Sequence, residues 1–151
     1  MKRHHILCLL ALSALSIKPA TAADTPDPIA VALGGTGAQA VFSTFMAIAE
    51  LADLYGAKAY DKDKVAELAE TYGKLTEGAK ESLTDLIASG KLSKEDNTSV
   101  QEMVVINDLL GKMSGSITAY VKSPTPESEA AYSKNREKAW KAIQKFLGIK
   151  E

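Results

Sequence analysis

Two carboxylates are the residues best placed to do chemistry, because Glu50 and Asp53 are the only charged residues in the range 29–57. A carboxyl group held at the edge of an apolar helix face can act as a general acid in glycan cleavage. Such a reaction needs a second carboxylate, which Asp108 or Glu102 would supply from a later helix. The alternative interpretation is that Glu50 and Asp53 mark the outward side of a helix.

The first 22 residues predict a cleaved secretory signal peptide. Lys2 and Arg3 give a positively charged start, residues 6–17 form a short apolar core, and residues 20–22 have the small-residue pattern of a cleavage site. The core is too short to span a bilayer as a helix. We therefore expect an exported protein, periplasmic or extracellular, from which residues 1–22 are removed.

Cleavage would also remove every imidazole and thiol of the chain, since its two histidines and one cysteine are His4, His5 and Cys8. The remaining chain could use neither Ser-His-Asp nor Cys-His catalysis, could not build a Cys/His zinc site and could form no disulfide. A glycine-rich run at 34–40 has the spacing of a dinucleotide-binding turn, but no second strand follows it. We expect no metal site and no cofactor.

The charge balance argues against nucleic acid as a partner. The whole chain has 18 basic and 19 acidic residues, for a net charge of −1. The leader holds Lys2, Arg3 and Lys18, so its removal leaves a more acidic protein. General nucleic-acid binding needs a basic footprint.

The rest of the chain predicts four amphipathic helices and no strand. We expect a flexible lead-in at 23–35 and a four-helix bundle domain at 36–151. In each predicted helix the apolar residues recur every three or four positions, as in Met103, Ile106 and Leu110. Short connections favour an antiparallel up-down-up-down bundle over a coiled-coil rod. The predicted helices cover about 36–59, 63–89, 93–122 and 125–148.

The first of these helices is unusual because residues 29–49 carry no charge. Alanine, glycine, serine and threonine dominate the stretch, and large aliphatic residues are sparse. Its transfer into a bilayer would therefore be poor. We expect a buried central helix here and not a membrane span.

Two glycines on the third helix are candidates for a binding face. Gly111 and Gly115 follow a Gly-x-x-x-Gly spacing, which places two bare backbone patches on one side of a helix. Such a face permits a close helix crossing or a groove for a ligand. The alternative is a bundle that is merely suboptimal at these positions.

Trp140 lies in a basic amphipathic segment, residues 134–150, which has six basic residues and a single acid, Glu137. A helix of this kind can lie on an anionic membrane surface. It can equally be a core helix that keeps its lysines in water.

The residue types favour a secreted or periplasmic non-enzymatic helical bundle that binds a protein partner or a small ligand. Two alternatives remain open: a carboxylate-based enzyme acting on the envelope or on glycans, and a membrane-surface-active protein that uses its last helix. The sequence does not decide the oligomeric state. The candidate binding residues are Gly111, Gly115, Trp140, Glu50 and Asp53.

Overall fold

The computed structural model describes residues 28–149, with side chains from Val31 onward except that of Ala32. This part of the chain forms four α-helices and no strand, so the prediction of an all-helical fold is confirmed for it. The predicted signal peptide at 1–22, and the lead-in as far as residue 27, lie outside the described residues. The helices are α1 (Pro28–Gly56), α2 (Lys62–Ala88), α3 (Lys94–Lys122) and α4 (Pro126–Leu147).

The starts of α2, α3 and α4 follow from side chains that cap free backbone N–H groups. Asp61 Oδ1 accepts a hydrogen bond from the Lys64 amide at 2.8 Å, and Ser93 Oγ accepts one from the Asp96 amide at 3.1 Å. Thr125 forms a reciprocal capping box before α4. Each cap satisfies an amide that has no partner inside its helix, which fixes where the helix begins.

Helix α1 begins earlier than the sequence predicted. It starts at Pro28, so residues 28–35 are helical where a flexible lead-in was expected. Proline is well tolerated in a first turn, because the amide it lacks would have no helical partner there. Gly37 has a packing reason to be in a helix, since a Cβ at this position would collide with the Met103 thioether of α3. Close packing offsets the low helix propensity of this glycine.

Helix α3 is the centre of the molecule. It packs against α1, α2 and α4, whereas α2 and α4 do not touch each other within the described residues. Its inward face is almost completely shielded from solvent, as the spacing predicted. The expectation that residues 29–49 form a buried central helix holds for one face only: α1 also packs against the other three helices and buries Val41, Phe45 and Ile48, but it leaves Phe42 and Met46 exposed. The buried apolar residues of α3 are Val100, Met103, Ile106, Leu110, Met113, Ile117 and Val121.

Polar contacts record which ends of the helices meet. Lys122, at the end of α3, pairs with Glu70 near the start of α2 at 2.8 Å. Lys145, near the end of α4, pairs with Glu102 near the start of α3 at 3.0 Å. These exposed pairs contribute little free energy, but they report the register of neighbouring helices.

Helices α2 and α3 approach closely along a line of small side chains, which we call the small-residue seam: Ala69, Gly73 and Thr76 of α2 against Gly111 and Ser114 of α3. Ser114 Oγ donates a hydrogen bond to the Ala69 carbonyl. A Cβ at Gly73 would lie 3.2 Å from Ser114 Oγ, and a Cβ at Gly111 would lie 3.3 Å from Thr76 Oγ1. The open backbone at Gly111 is therefore covered by α2 and is not available to a ligand.

Gly115 lies away from this seam. It is exposed, and a Cβ there would have no neighbour within 4 Å. Gly111 contributes to a close approach of α2 and α3, where it faces Thr76 of α2, but Gly115 takes no part in it.

Candidate binding cleft

A surface depression with three aromatic side chains lies between α1 and α4. We call it the α1–α4 cleft. It encloses about 430 Å³ and is open to solvent. It is lined by Phe42, Phe45 and Met46 of α1 and by Ser133, Arg136, Glu137 and Trp140 of α4.

Ring packing holds the floor of the cleft in place. Phe45 is buried and stacks on Trp140, with 5.3 Å between ring centroids and 27° between the ring planes. Phe42 also packs against Trp140, with 6.3 Å between ring centroids and 50° between the ring planes. Aromatic contacts of this geometry are worth about 0.5–1.5 kcal/mol beyond the area they bury. The cleft is therefore formed before any ligand arrives.

The α1 wall of the cleft is apolar and exposed. Phe42 keeps 37% of its surface in solvent and Met46 keeps 49%. An exposed helix face is usually charged, but this one carries no charge until Glu50. The exposed α1 residues before Glu50 whose side chains are described are Val31, Gly35, Thr36, Gln39, Ala40, Phe42, Ser43 and Met46.

The α4 wall carries two charged residues, of which Glu137 forms an ion pair within the described chain and Arg136 does not. Glu137 pairs with Lys141 at 2.6 Å, and this hydrogen bond lowers the pKa of the Glu137 carboxyl. Arg136 forms no ion pair with any residue in the range 28–149. Its guanidinium is the charge at the cleft that remains open to a carboxylate from outside.

Tyr132 lies one turn before Arg136 on α4 and is buried. Its hydroxyl has no hydrogen-bond partner among the described residues. Burial raises the pKa of the Tyr132 phenol to about 12, Arg136 lowers this pKa, and Asp53 raises it. Both charges act on the phenol through space, but Asp53 is not among the residues that line the α1–α4 cleft.

Tyr132→Phe is expected to raise the free energy of unfolding by about 1 kcal/mol at pH 8, because it removes a buried hydroxyl that has no hydrogen-bond partner in the described part of the chain. The folded-state pKa of Tyr132 is about 12 and lies above the ordinary value of 10.0. Stability from the neutral phenol is therefore complete below pH 10 and is lost as the pH rises toward 12.

Urea denaturation of both proteins at a series of pH values measures this effect. The gap in stability between Tyr132→Phe and the wild type should widen above pH 10. Titration of lysines and of the other tyrosines affects both proteins and cancels in the difference. A gap that is the same at pH 8 and pH 11 would contradict the burial of a neutral phenol.

The carboxylates considered for catalysis lie in two different environments: two are exposed, and two form ion pairs with lysines. Glu50 and Asp53 are both exposed, with Glu50 one turn beyond Met46. Asp108 pairs with Lys112 at 2.6 Å, and this hydrogen bond lowers its pKa. Glu102 is paired with Lys145, as described above. The acid expected at the edge of an apolar face is thus on the outside of α1, and the expected partner carboxylates are bound to lysines.

The apolar face of α4 packs inside the protein. Ala139 and Ile143 are fully buried, and Phe146 and Leu147 pack partly buried against the same core. Its lysines are exposed.

None of the helices in the range 28–149 combines the length and the apolar character needed to cross a bilayer. Within the same range, no three His, Cys, Asp or Glu side chains are grouped so that they could hold a metal ion.

Of the five candidate residues, Trp140 lines this cleft and the other four do not. Phe42, Met46 and Arg136 were not named from the sequence. A signal for the first two was present, because Phe42 and Met46 are four residues apart and form a second apolar stripe beside the buried one. Nothing in the sequence alone could place Arg136 opposite them.

Comparison of the chain with family models, with curated proteins and with solved structures finds no match.

Proposed function

We propose that this protein is an exported, non-enzymatic helical bundle that binds a protein partner through its α1–α4 cleft. The observation that carries the proposal is the exposed, uncharged face of α1. It presents Phe42 and Met46 next to a preformed aromatic floor. Large apolar side chains on a surface cost solvation, and contiguous patches of them mark sites of interaction.

The residue types support a protein interface. Tryptophan, phenylalanine, methionine and arginine are enriched in interface cores, and tryptophan and arginine dominate binding energy when they are desolvated. Trp140 and Arg136 stand one turn apart on α4. A groove between two helices commonly accepts the apolar face of a third helix. The partner segment we propose is an amphipathic helix with large apolar side chains and a carboxylate that pairs with Arg136.

Export and helix order belong to this proposal. The sequence of residues 1–22 supports export with removal of the leader. The connections between helices are short, and the pairs Lys122 with Glu70 and Lys145 with Glu102 join opposite ends of neighbouring helices. These features support an up-down-up-down bundle. We expect no nucleic-acid partner, because the chain without its leader is acidic.

The two alternatives have less support. An enzyme built on Glu50 or Asp53 would need a carboxyl shielded from solvent, and both residues are exposed. A membrane-surface role for α4 would need a free apolar face, and that face is buried at Ala139 and Ile143. Weak contact of its exposed lysines with an anionic surface is the part of this alternative that the packing leaves open.

Site-specific cross-linking tests the proposal. A photoreactive amino acid at Met46, in the native host, should give a discrete cross-linked product with one envelope protein. The same amino acid at Val105, which is 56% exposed on α3, is the matched control and should give none. Arg136→Glu should abolish the Met46 product, because it repels the carboxylate of the partner. No product at Met46, or an identical product at Val105, would contradict the proposal.

A further inference from the structure

A second depression lies on the other side of α1, between α1 and α2 and above α3. We call it the α1–α2 cleft, and it encloses about 300 Å³. Leu33 and Val41 form its α1 wall, and Leu75 and Leu83 form its α2 wall. The cleft is distinct from the α1–α4 cleft, with which it shares no lining residue.

Small residues keep the α1–α2 cleft open. Ala40 and Ala79 line it, and neither has a side chain long enough to fill the space between the helices; the space beside Gly37 is taken by the Met103 thioether. Leu75 is 61% exposed, although leucine gains free energy from burial. An apolar molecule between the helices would cover part of this surface.

The inner end of the cleft carries an unused hydrogen-bond acceptor. Asn107 of α3 lines the cleft and is only 6% exposed. Its Nδ2 donates to the Met103 carbonyl at 2.9 Å, whereas its Oδ1 accepts no hydrogen bond from the described residues. The nearby Thr76 hydroxyl already donates to the Gly73 carbonyl at 2.8 Å. This oxygen keeps some contact with solvent, and a ligand N–H or O–H group that replaces that solvent would donate a hydrogen bond to it.

The lining also excludes charge. None of the described side chains that line the α1–α2 cleft is charged. A charged ligand would lose its hydration there without gaining an ion pair. An apolar body with one N–H or O–H group fits both the walls and the acceptor.

We infer that the α1–α2 cleft binds a small uncharged molecule that is mostly apolar and donates one hydrogen bond to Asn107 Oδ1. This site is separate from the proposed protein interface, and each can fail without the other.

N-Phenyl-1-naphthylamine is a suitable probe, because it is uncharged, has one N–H group and becomes fluorescent in apolar surroundings. Titration of the wild-type protein should give saturable binding at one site. The side-chain amide signals of Asn107 in the ¹⁵N NMR spectrum should shift over the same titration. Asn107→Leu should weaken binding about three- to tenfold, the worth of one hydrogen bond.

Two substitutions locate the probe. Ala79→Trp fills the α1–α2 cleft and should weaken binding more than 20-fold, with Ala79→Phe as a smaller replacement if the tryptophan variant does not fold. Met46→Ser lies in the other cleft and should leave binding unchanged. The sulfonated analogue 1-anilinonaphthalene-8-sulfonate should not displace the probe, because the sulfonate brings a charge.

Three results would overturn the inference. They are the absence of saturable binding, unchanged Asn107 signals when the probe binds, and binding that is lost in Met46→Ser but kept in the folded Ala79 variant. The NMR titration uses only the wild-type protein, so it decides the matter even if no filled variant folds.

Discussion

Leu110→Ala is expected to lower the free energy of unfolding by about 2–5 kcal/mol, the largest effect of any single truncation proposed for this protein. Leu110 is fully buried in α3, the helix against which the other three pack. Its truncation removes apolar contacts and leaves a cavity that the surrounding helices fill only in part. The measurement is equilibrium denaturation in urea monitored by far-ultraviolet circular dichroism.

Leu75→Ala is the matched control, because it makes the same chemical change at a leucine that is 61% exposed. Its effect should stay within about 1 kcal/mol. Since the two variants lose the same atoms, the difference between them isolates burial. Equal losses at the two positions would contradict the placement of α3 at the centre of the bundle.

Gly111→Leu and Gly115→Leu form the second pair. Both replace a helical glycine and gain about 1 kcal/mol of helix propensity. Only Gly111 faces the small-residue seam, where a Cβ would lie 3.3 Å from Thr76 Oγ1 and the rest of a leucine would have to push α2 away. Overpacking of this kind costs about 1–3 kcal/mol.

The propensity gain is common to both variants, so the difference in their unfolding free energies reports the seam alone. Gly111→Leu should be the less stable by about 1–3 kcal/mol, and Gly115→Leu should match or exceed the wild type. If Gly115→Leu were the more damaging variant, α2 and α3 would have to meet on another face.

Most of the fold could be predicted because its signals are local. Asp61, Ser93 and Thr125 are capping residues, and a cap acts within one turn of its own helix. The buried face of α3 could be predicted because burial follows a 3,4 spacing. The start of α1 could not, since what offsets the cost of glycine is the contact of Gly37 with Met103, which are distant in the sequence.

The exposed side of α1 has a physical explanation. The absence of charge in residues 29–49 predicts a helix buried on all sides, but a helix face that contacts another protein also needs no charge. The structure leaves this face open on one side, at Phe42 and Met46. An uncharged exposed face is also what a protein interface requires, and the sequence does not separate the two cases.

The candidate site was harder to predict than the fold because it depends on two helices meeting. Trp140 could be named for its type. Its stacking on Phe45, and the position of Arg136 beside it, exist only once α1 and α4 pack together. Gly111 follows a spacing within one helix, but its neighbour in the seam is Thr76 on another.

Trp140 provides the most direct test of the central claim, that the α1–α4 cleft is where a partner binds. It is the only tryptophan of the chain, so its fluorescence reports this cleft alone. The partner is the protein identified by cross-linking at Met46, prepared in a form without tryptophan. Acrylamide quenching of Trp140 should be measured with and without this partner. Binding should at least halve the quenching constant in the wild type and leave it unchanged in Arg136→Glu; a partner that binds the wild type with no change in quenching would contradict the claim.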